Sequence, residues 1–338
     1  MASMSELSLS FLPQLAFLAA VMCSMFINLP QTLHPMNLAH LGLQILGNKV
    51  ANPSHSQSQQ KVAGLLALLV VCVPSLALMI ALQQVVFFPG LLEFVVLLCM
   101  LEWRGVVKRF DRVREHCVIV NKTQARNHLN DITLREVDGL SLLGIQKAAT
   151  ESLTLQLSGR WFFVVFWYLV GGIYAALLCR IMQLCAYSWN QKKHRYHAFG
   201  TWPRQLYGVL AWLPNLALSL TLLCYGNTLY GLKNVFRQGA TWPLFSSGLV
   251  LSAMASSLQI QLGGLRVYET IQMRFALVGT GQSIQVQHLD KVKQRLKQAA
   301  WFWLIAYCLV HISWWLITQN APTDLSPLDF PSNQYSPL

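Results

Sequence analysis

The stretch SSGLVLSAMASSLQIQLGGLRVY, residues 246–268, decides how the rest of the chain is interpreted. Ser and Ala line one side of it and larger aliphatic residues the other, and the run ends at Gly263 and Gly264, followed by Arg266 and Tyr268. Small residues let helices approach closely, and glycine is typical of a helix terminus. The pattern predicts a closely packed helix, in a membrane bundle or as the floor of a site, and packing alone is the favoured interpretation.

Outward from this stretch, the composition is that of an integral membrane protein. Of 338 residues, 54% are hydrophobic and 11% are charged, and the mean hydropathy is +0.42. Soluble domains carry about 25% charged residues. The net charge of +12 is therefore assigned to cytoplasmic loops and lipid surfaces, not to nucleic acid. The eight cysteines form no CxxC pair, which favours packing roles over a metal site.

Long apolar runs predict an all-α integral membrane protein with about five to six apolar helices, because about 20 apolar residues cross a bilayer. Two polar segments, residues 104–160 and 227–298, carry spaced apolar residues that predict amphipathic cytoplasmic helices. The Pro- and Ser-containing tail, residues 318–338, predicts disorder. We interpret residues 1–338 as one membrane domain whose apolar runs cover residues 11–29, 62–82, 87–101, 161–184, 206–225 and 299–317.

The first polar segment is predicted to contain two helices. One runs through EWRGVVKRFDRVREHCVIV, residues 102–120, and its basic residues would face anionic lipid at the membrane surface. The other covers residues 140–157, with Asp138 as its N-cap. Glu93, inside an apolar run, is either a functional group of the bundle interior or a residue near the interface.

Residues 161–184 leave two interpretations open. The run can cross the membrane once, or the Gly171-Gly172 pair can break it into a re-entrant element. A single crossing would place the basic residues that follow, Lys192 among them, on the outer side of the membrane. This conflicts with the usual excess of cations in cytoplasmic loops. His194 and His197 in this basic segment are interpreted as surface residues.

The segment MASSLQIQLGG, residues 254–264, resembles a signature of the CbiB/CobD family of cobalamin biosynthesis proteins, where the stretch reads like NSGWPMAAMAGALGVRLGG. His34-Pro35 and Gly42 resemble the family's HPV…IG element, and Glu151 aligns with the first Glu of its ETVAENTVDG element. The resemblance covers roughly residues 10–317. The chain is also similar, more distantly, to AmpE-like proteins.

This resemblance implies a multi-pass protein of the bacterial inner membrane. Family members join aminopropanol or its phosphate to adenosylcobyric acid through an amide, giving adenosylcobinamide or its phosphate, and consume ATP. The expected partners are therefore a corrinoid substrate and membrane lipid, with ATP and Mg²⁺ if the activity is retained. The alternative is a non-catalytic AmpE-like sensor, modulator or assembly factor, and a homo-oligomer or a partner protein is possible for either.

The acidic motifs of the family are largely degenerate in this chain. ETVAENTVDG becomes ESLTLQLSGR at residues 151–160, the Asp of an IGD-like element is Thr280, and only Asn28-Leu29-Pro30 lies near the family's GDP element. The resemblance then implies catalytic candidates Glu151, Arg180 and Gln183, no metal ligands, and substrate-binding candidates Ser246, Gly263, Gly264, Arg266 and Tyr268.

Overall fold

The computed structural model describes residues 4–27, 34–226, 228–279 and 281–319, and these residues form a nearly all-α fold. Asn28-Leu29-Pro30, Thr280 and most of the predicted disordered tail lie outside the described residues. The helices are α1 (Met4–Phe26), α2 (Pro35–Val50), α3 (Gln57–Val85), α4 (Pro89–Met100), α5 (Arg104–Val118), α6 (Lys122–Asn130), α7 (Leu142–Leu157), α8 (Phe163–Ser188), α9 (Thr201–Leu210), α10 (Trp212–Leu223), α11 (Thr228–Gly239), α12 (Phe245–Leu258) and α13 (Val286–Gln319).

The chain divides into two units, Met1–Ala299 and Ala300–Leu338. The first unit holds every residue of the candidate site described below. The described part of the second unit is the continuation of α13 to Gln319. The single domain over residues 1–338 stays a prediction.

Three helical segments among the described residues are long and apolar enough to cross a membrane: Gln57–Val85, Leu142–Ser188 and Val286–Ile317. The pair Thr201–Leu210 and Trp212–Leu223, bent by 46°, adds a fourth if it forms one crossing. These long apolar helices indicate a membrane protein. The predicted number of five to six apolar helices is not confirmed, since the 12 residues of α4 extend only about 18 Å, against a hydrocarbon core of about 30 Å.

Helix α8 is broken where the sequence has its glycine pair. Gly171 (φ −141°, ψ 24°) and Gly172 (φ 65°, ψ −160°) both leave the helical region. A positive φ at Gly172 costs little because glycine has no Cβ. The helix is therefore interrupted at the glycine pair, while the segment Leu142–Ser188 remains long and apolar enough for one crossing, so that the choice between a single crossing and a re-entrant element stays a prediction.

A β-hairpin replaces part of the helical region predicted for residues 227–298. Strands β1 (Leu262–Tyr268) and β2 (Ile271–Val278) pair antiparallel, with an irregular register between Leu262 and Gly264. Helix α12 ends earlier, at Leu258, and the next residue, Gln259, adopts the left-handed conformation of a C-cap (φ 54°). The glycine pair was thus wrongly interpreted as a helix end, because its positive φ values of 87° and 114° serve a bulge inside a strand.

Helix α5 is amphipathic, as predicted, and buries Val106, Phe110 and Val113. Part of its charged face is engaged within the protein, since Arg114 pairs with Asp290 of α13 at 2.6 Å. The N-cap predicted for the next long helix was wrong. Ser141, not Asp138, caps α7, and its hydroxyl accepts from Gly144 N at 3.2 Å.

The basic loop of residues 189–200 is anchored at both ends in an apolar core shared with α2 and α3. Trp189 is fully buried, and its indole N–H donates to Leu43 O at 2.8 Å. Phe199 is also fully buried, and a Cβ on Gly64 would lie 2.0 Å from Phe199 O. This close approach holds the C-terminal end of the loop against α3.

Candidate functional site

A cavity of about 440 Å³ lies between the C-terminal end of α8, the basic loop, the start of α9 and the β-hairpin. Its lining combines cations with apolar and aromatic side chains. No described carboxylate lines it. The lining residues are Leu155, Ala186, Tyr187, Asn190, Gln191, Lys192, His194, His197, Arg204, Tyr207, Trp242, Pro243, Leu244, Ser247, Arg266, Tyr268, Ile271, Met273 and Phe275.

Arg266 reaches the cavity from β1 between two aromatic rings. Its Cζ lies 4.2 Å from the ring centroid of Phe275 and 4.8 Å from that of Trp242. The guanidinium is 2.9 Å from the carboxylate of Glu151, and the Arg266 side chain is 7% exposed. Ring faces and an ion pair together hold Arg266 in one orientation.

Glu151 on α7 binds the hairpin and two arginines at once. Its Oε1 accepts from Gly263 N at 2.7 Å, and its Oε2 accepts from Arg135 at 3.3 Å and pairs with Arg266. Burial lowers the pKa of Arg135, Glu151 opposes this, and the like charge of Arg266 adds to it. Because the carboxylate is fully engaged, the geometry gives Glu151 a positioning role; its predicted catalytic role would require it to leave these partners.

Lys192 enters the cavity from the opposite wall. Its Nζ lies 4.0 Å from the ring centroid of Tyr268 and 5.8 Å from that of Phe275. The Lys192 side chain is exposed and lines the cavity, but the cavity walls remove part of the water around its ammonium group. This desolvation lowers the pKa of Lys192, against the opposing effect of Tyr268. Burial raises the pKa of Tyr268, but the nearby charges of Lys192 and Arg266 outweigh it, so that the pKa is lowered.

Arg204, the third cation of the cavity, is held by neutral partners. Its Nη1 donates to Gln191 Oε1 at 2.5 Å and its Nη2 to Pro243 O at 3.2 Å. Sequence reasoning missed both Arg204 and Lys192 as site residues. The one available signal was the basic segment itself, whose cations conflicted with a simple membrane topology.

The other two predicted catalytic residues belong to a different cluster. Arg180 donates to Gln183 Oε1, and its Nη2 lies 3.8 Å from Glu102. Glu102 also pairs with Arg109 at 2.9 Å and with Arg160 at 2.7 Å. Burial raises the pKa of Glu102, but the surrounding guanidiniums have the larger, opposite effect and lower it to about 2. The predicted catalytic set is therefore divided between Glu151, which pairs with Arg266 behind the cavity wall, and the ionic cluster around Glu102, which contains Arg180 and Gln183.

The predicted substrate-binding residues also divide. Arg266 and Tyr268 line the cavity, whereas Gly263 and Gly264 shape the strand behind it. A Cβ on Gly263 would lie 2.3 Å from Ala276 O, so that this position requires glycine. Ser246 is 2% exposed and does not line the cavity.

The described residues include no preformed ligand set for the Mg²⁺ that the resemblance implies, since no group of three or more His, Cys, Asp or Glu side chains among them could hold a metal ion. Mg²⁺ bound with a nucleotide is usually held by one or two carboxylates together with waters and substrate phosphates. The buried carboxylates near the site, Glu102 and Glu151, are already paired with arginines.

Comparison with known proteins identifies the family of the chain. The family described as "CobD/Cbib protein" matches residues 17–321, which include the whole cavity. This chain belongs to the CobD/CbiB family. No solved structure matches it.

Several curated relatives carry the name cobalamin biosynthesis protein CobD. The protein from Stutzerimonas stutzeri is 25% identical over 182 residues, 54% of this chain and 60% of that protein. The protein from Leptospira interrogans is 26% identical over 268 residues, 75% of this chain and 84% of that protein. The protein from Chromobacterium violaceum is 26% identical over 200 residues, 59% of this chain and 64% of that protein. The alignments with the first and third of these CobD proteins thus span less than two thirds of their length.

Proposed function

We propose that this CobD/CbiB-family protein acts in cobalamin biosynthesis as a multi-pass protein of the bacterial inner membrane, and that its cavity binds a small anionic substrate. The observation that carries the proposal is the convergence of Lys192, Arg204 and Arg266 on a cavity without a described carboxylate lining it. Such a site favours phosphate or carboxylate groups. The names of the CobD relatives supply the pathway.

The size of the cavity supports a small ligand. Its volume of about 440 Å³ lies in the lower part of the range of about 300–1,000 Å³ that is usual for drug-sized ligands. A corrin macrocycle with its amide side chains is much larger than such a ligand. The cavity therefore suits aminopropanol phosphate, or a single carboxylate-bearing arm of the corrinoid, rather than the whole macrocycle.

In the amide-forming reaction of the family, the chain's own residues would bind and orient the reactants. Lys192 and Arg204 would neutralise the anionic group, while Glu151 would hold Arg266 in position. The apolar wall formed by Trp242, Met273 and Phe275 would exclude water around the ligand. ATP would activate the carboxylate that the amine attacks, but the described residues offer no carboxylate set for its Mg²⁺.

The engagement of Glu151 by Arg135, Arg266 and Gly263 N supports a second candidate, a non-catalytic AmpE-like sensor, modulator or assembly factor. In this case the cavity would still bind the anionic compound, and the engaged carboxylate of Glu151 would be structural. A homo-oligomer or a partner protein is compatible with either candidate function.

Complementation separates the two functions. The full chain is expressed in a bacterial strain that lacks adenosylcobinamide-phosphate synthase and receives cobyric acid as its only corrinoid. Growth supports the ligase, and its loss in the Glu151→Ala variant, with normal membrane expression, shows that the activity needs the carboxylate that positions Arg266. Absence of growth with normal membrane expression of the parent chain would reject the ligase and leave the non-catalytic role.

A further inference from the structure

The three cations of the cavity differ in what holds them. Arg266 has a carboxylate partner, Glu151, at 2.9 Å. Arg204 has neutral partners for both terminal nitrogens, Gln191 and Pro243. Lys192 rests on aromatic rings and, within the described ranges, forms no ion pair with a carboxylate. Among the described residues, Lys192 is thus the cation of the cavity whose terminal nitrogen is not held by a carboxylate or amide oxygen.

The chemistry of an ammonium group sharpens this difference. Lysine carries three N–H donors on a flexible stem, and an aromatic ring stabilises the cation without accepting all of them. Lys192 Nζ rests over the ring of Tyr268, 4.0 Å from its centroid. Because Lys192 lines the cavity, its ammonium donors are within reach of a ligand there.

The position of Lys192 is fixed by the loop and by the tip of the hairpin. Glu269 at the tip accepts from His194 N at 3.0 Å, which ties the loop to β1 and β2. Thr270 N donates to Glu136 at 2.7 Å, which ties the tip to the loop before α7. Like charges on Arg204 and Arg266 disfavour an uncompensated ammonium here, and a bound anion would relieve this cost.

We infer that Lys192 is the side chain that contacts the anionic group of the substrate and determines affinity for it, whereas Arg266 and Arg204 are held in place to shape the cavity. This inference rests on the proposed function, because it assigns the ligand contact within the proposed anion site. Arg266 and Arg204 contribute to the positive potential; Lys192 donates directly to the phosphate or carboxylate.

The test uses the full chain, purified in detergent, titrated with inorganic phosphate by isothermal calorimetry. Lys192→Gln should weaken binding by about 10- to 100-fold, since a hydrogen bond to a charged group contributes about 1.5–3 kcal/mol. Lys192→Arg should bind within a few-fold of the parent chain. The matched control is Lys193→Gln, which removes the neighbouring cation outside the cavity lining. Thermal unfolding of each variant reports whether the fold is intact.

The outcomes separate this inference from the function on which it rests. If the parent chain does not bind phosphate, the anion site itself is rejected. If the parent chain binds and Lys192→Gln binds equally well, Lys192 is not the contact, and the anion site stands. Equal losses in Lys192→Gln and Lys193→Gln would also overturn the inference, because a distant charge effect would then suffice.

Discussion

Two carboxylates in this molecule are surrounded by arginines, and the two clusters differ in what lies beyond them. Glu102 pairs with Arg109, Arg160 and Arg180 in a closed group, and the pocket beside it, of about 20 Å³, has room for about one water molecule. Glu151 pairs with Arg135 and Arg266, and Arg266 faces a cavity. The charges of the first cluster join parts of the fold. In the second cluster, Arg266 also contributes a positive potential to the cavity, where a ligand can bind.

The difference shows why similar residue types cannot be assigned the same role. A buried ion pair is a weak source of net stability, yet removing one partner leaves a desolvated charge and costs much. Arg180 is 3% exposed, so that it depends on Glu102 and Gln183 for its partners. Arg266 depends on Glu151 in the same way but is also held between two rings. The first cluster is therefore expected to be the more sensitive to substitution.

Replacement of Glu102 should have the largest effect. Glu102→Gln removes the only carboxylate that the described residues offer to Arg180, and loss of a buried partner costs about 3–5 kcal/mol. We expect a correspondingly large fall in unfolding midpoint, measured by chemical denaturation in detergent. Glu115→Gln, on the exposed face of α5, is the control and should change stability by less than about 0.5 kcal/mol. A loss below about 1 kcal/mol for Glu102→Gln would contradict the closed-cluster interpretation.

Replacement of Glu151 should cost less. In Glu151→Gln the amide oxygen can still accept from Gly263 N, while Arg266 keeps Trp242 and Phe275. The contacts with Arg135 and Arg266 lose the carboxylate charge, but the side chain keeps one oxygen acceptor, so that we expect a loss of about 1.5–3 kcal/mol. The matched control is Glu136→Gln, an exposed carboxylate that also holds the hairpin, and both variants are compared by denaturation. Equal effects of the two substitutions would show that the ion pair with Arg266 adds nothing.

Much of the helical architecture can be predicted from the sequence, because apolar runs and amphipathic patterns depend only on residues close together in the chain. The break in α8 follows from Gly171-Gly172. The hairpin did not follow. A glycine pair serves a helix end and a strand bulge equally well, and its role here depends on Glu151, which lies 112 positions away and accepts from Gly263 N.

The candidate site was harder to predict than the fold for the same reason. Arg266 and Tyr268 were found through a family signature, and they do line the cavity. Lys192 was missed because its surroundings, Tyr268 and Phe275, come from a strand pair far along the chain. Glu102 was missed because its partners Arg160 and Arg180 lie on other elements, far along the chain. Helical periodicity predicts contacts only between residues a few positions apart.

The smallest expected effect is the pH dependence of anion binding at the cavity. Lys192 and Tyr268 both have a lowered pKa, so that each loses its proton at a lower pH than a free side chain. Loss of a proton removes positive charge at Lys192 and adds negative charge at Tyr268. Both changes weaken anion binding as pH rises, whereas Arg204 and Arg266 remain charged.

Sulfate is the suitable probe, because its own charge is constant between pH 8 and 10. We expect its affinity for the parent chain to fall by about two- to tenfold over this range, because the ordinary pKa values of lysine and tyrosine lie near 10 and both are lowered here. The double variant Lys192→Arg/Tyr268→Phe carries no group at these positions that titrates in this range, so that calorimetry should give a nearly constant affinity. An equal decline in both proteins would mean that groups other than Lys192 and Tyr268 control the pH dependence of binding. The prediction that these two side chains control it would then be wrong.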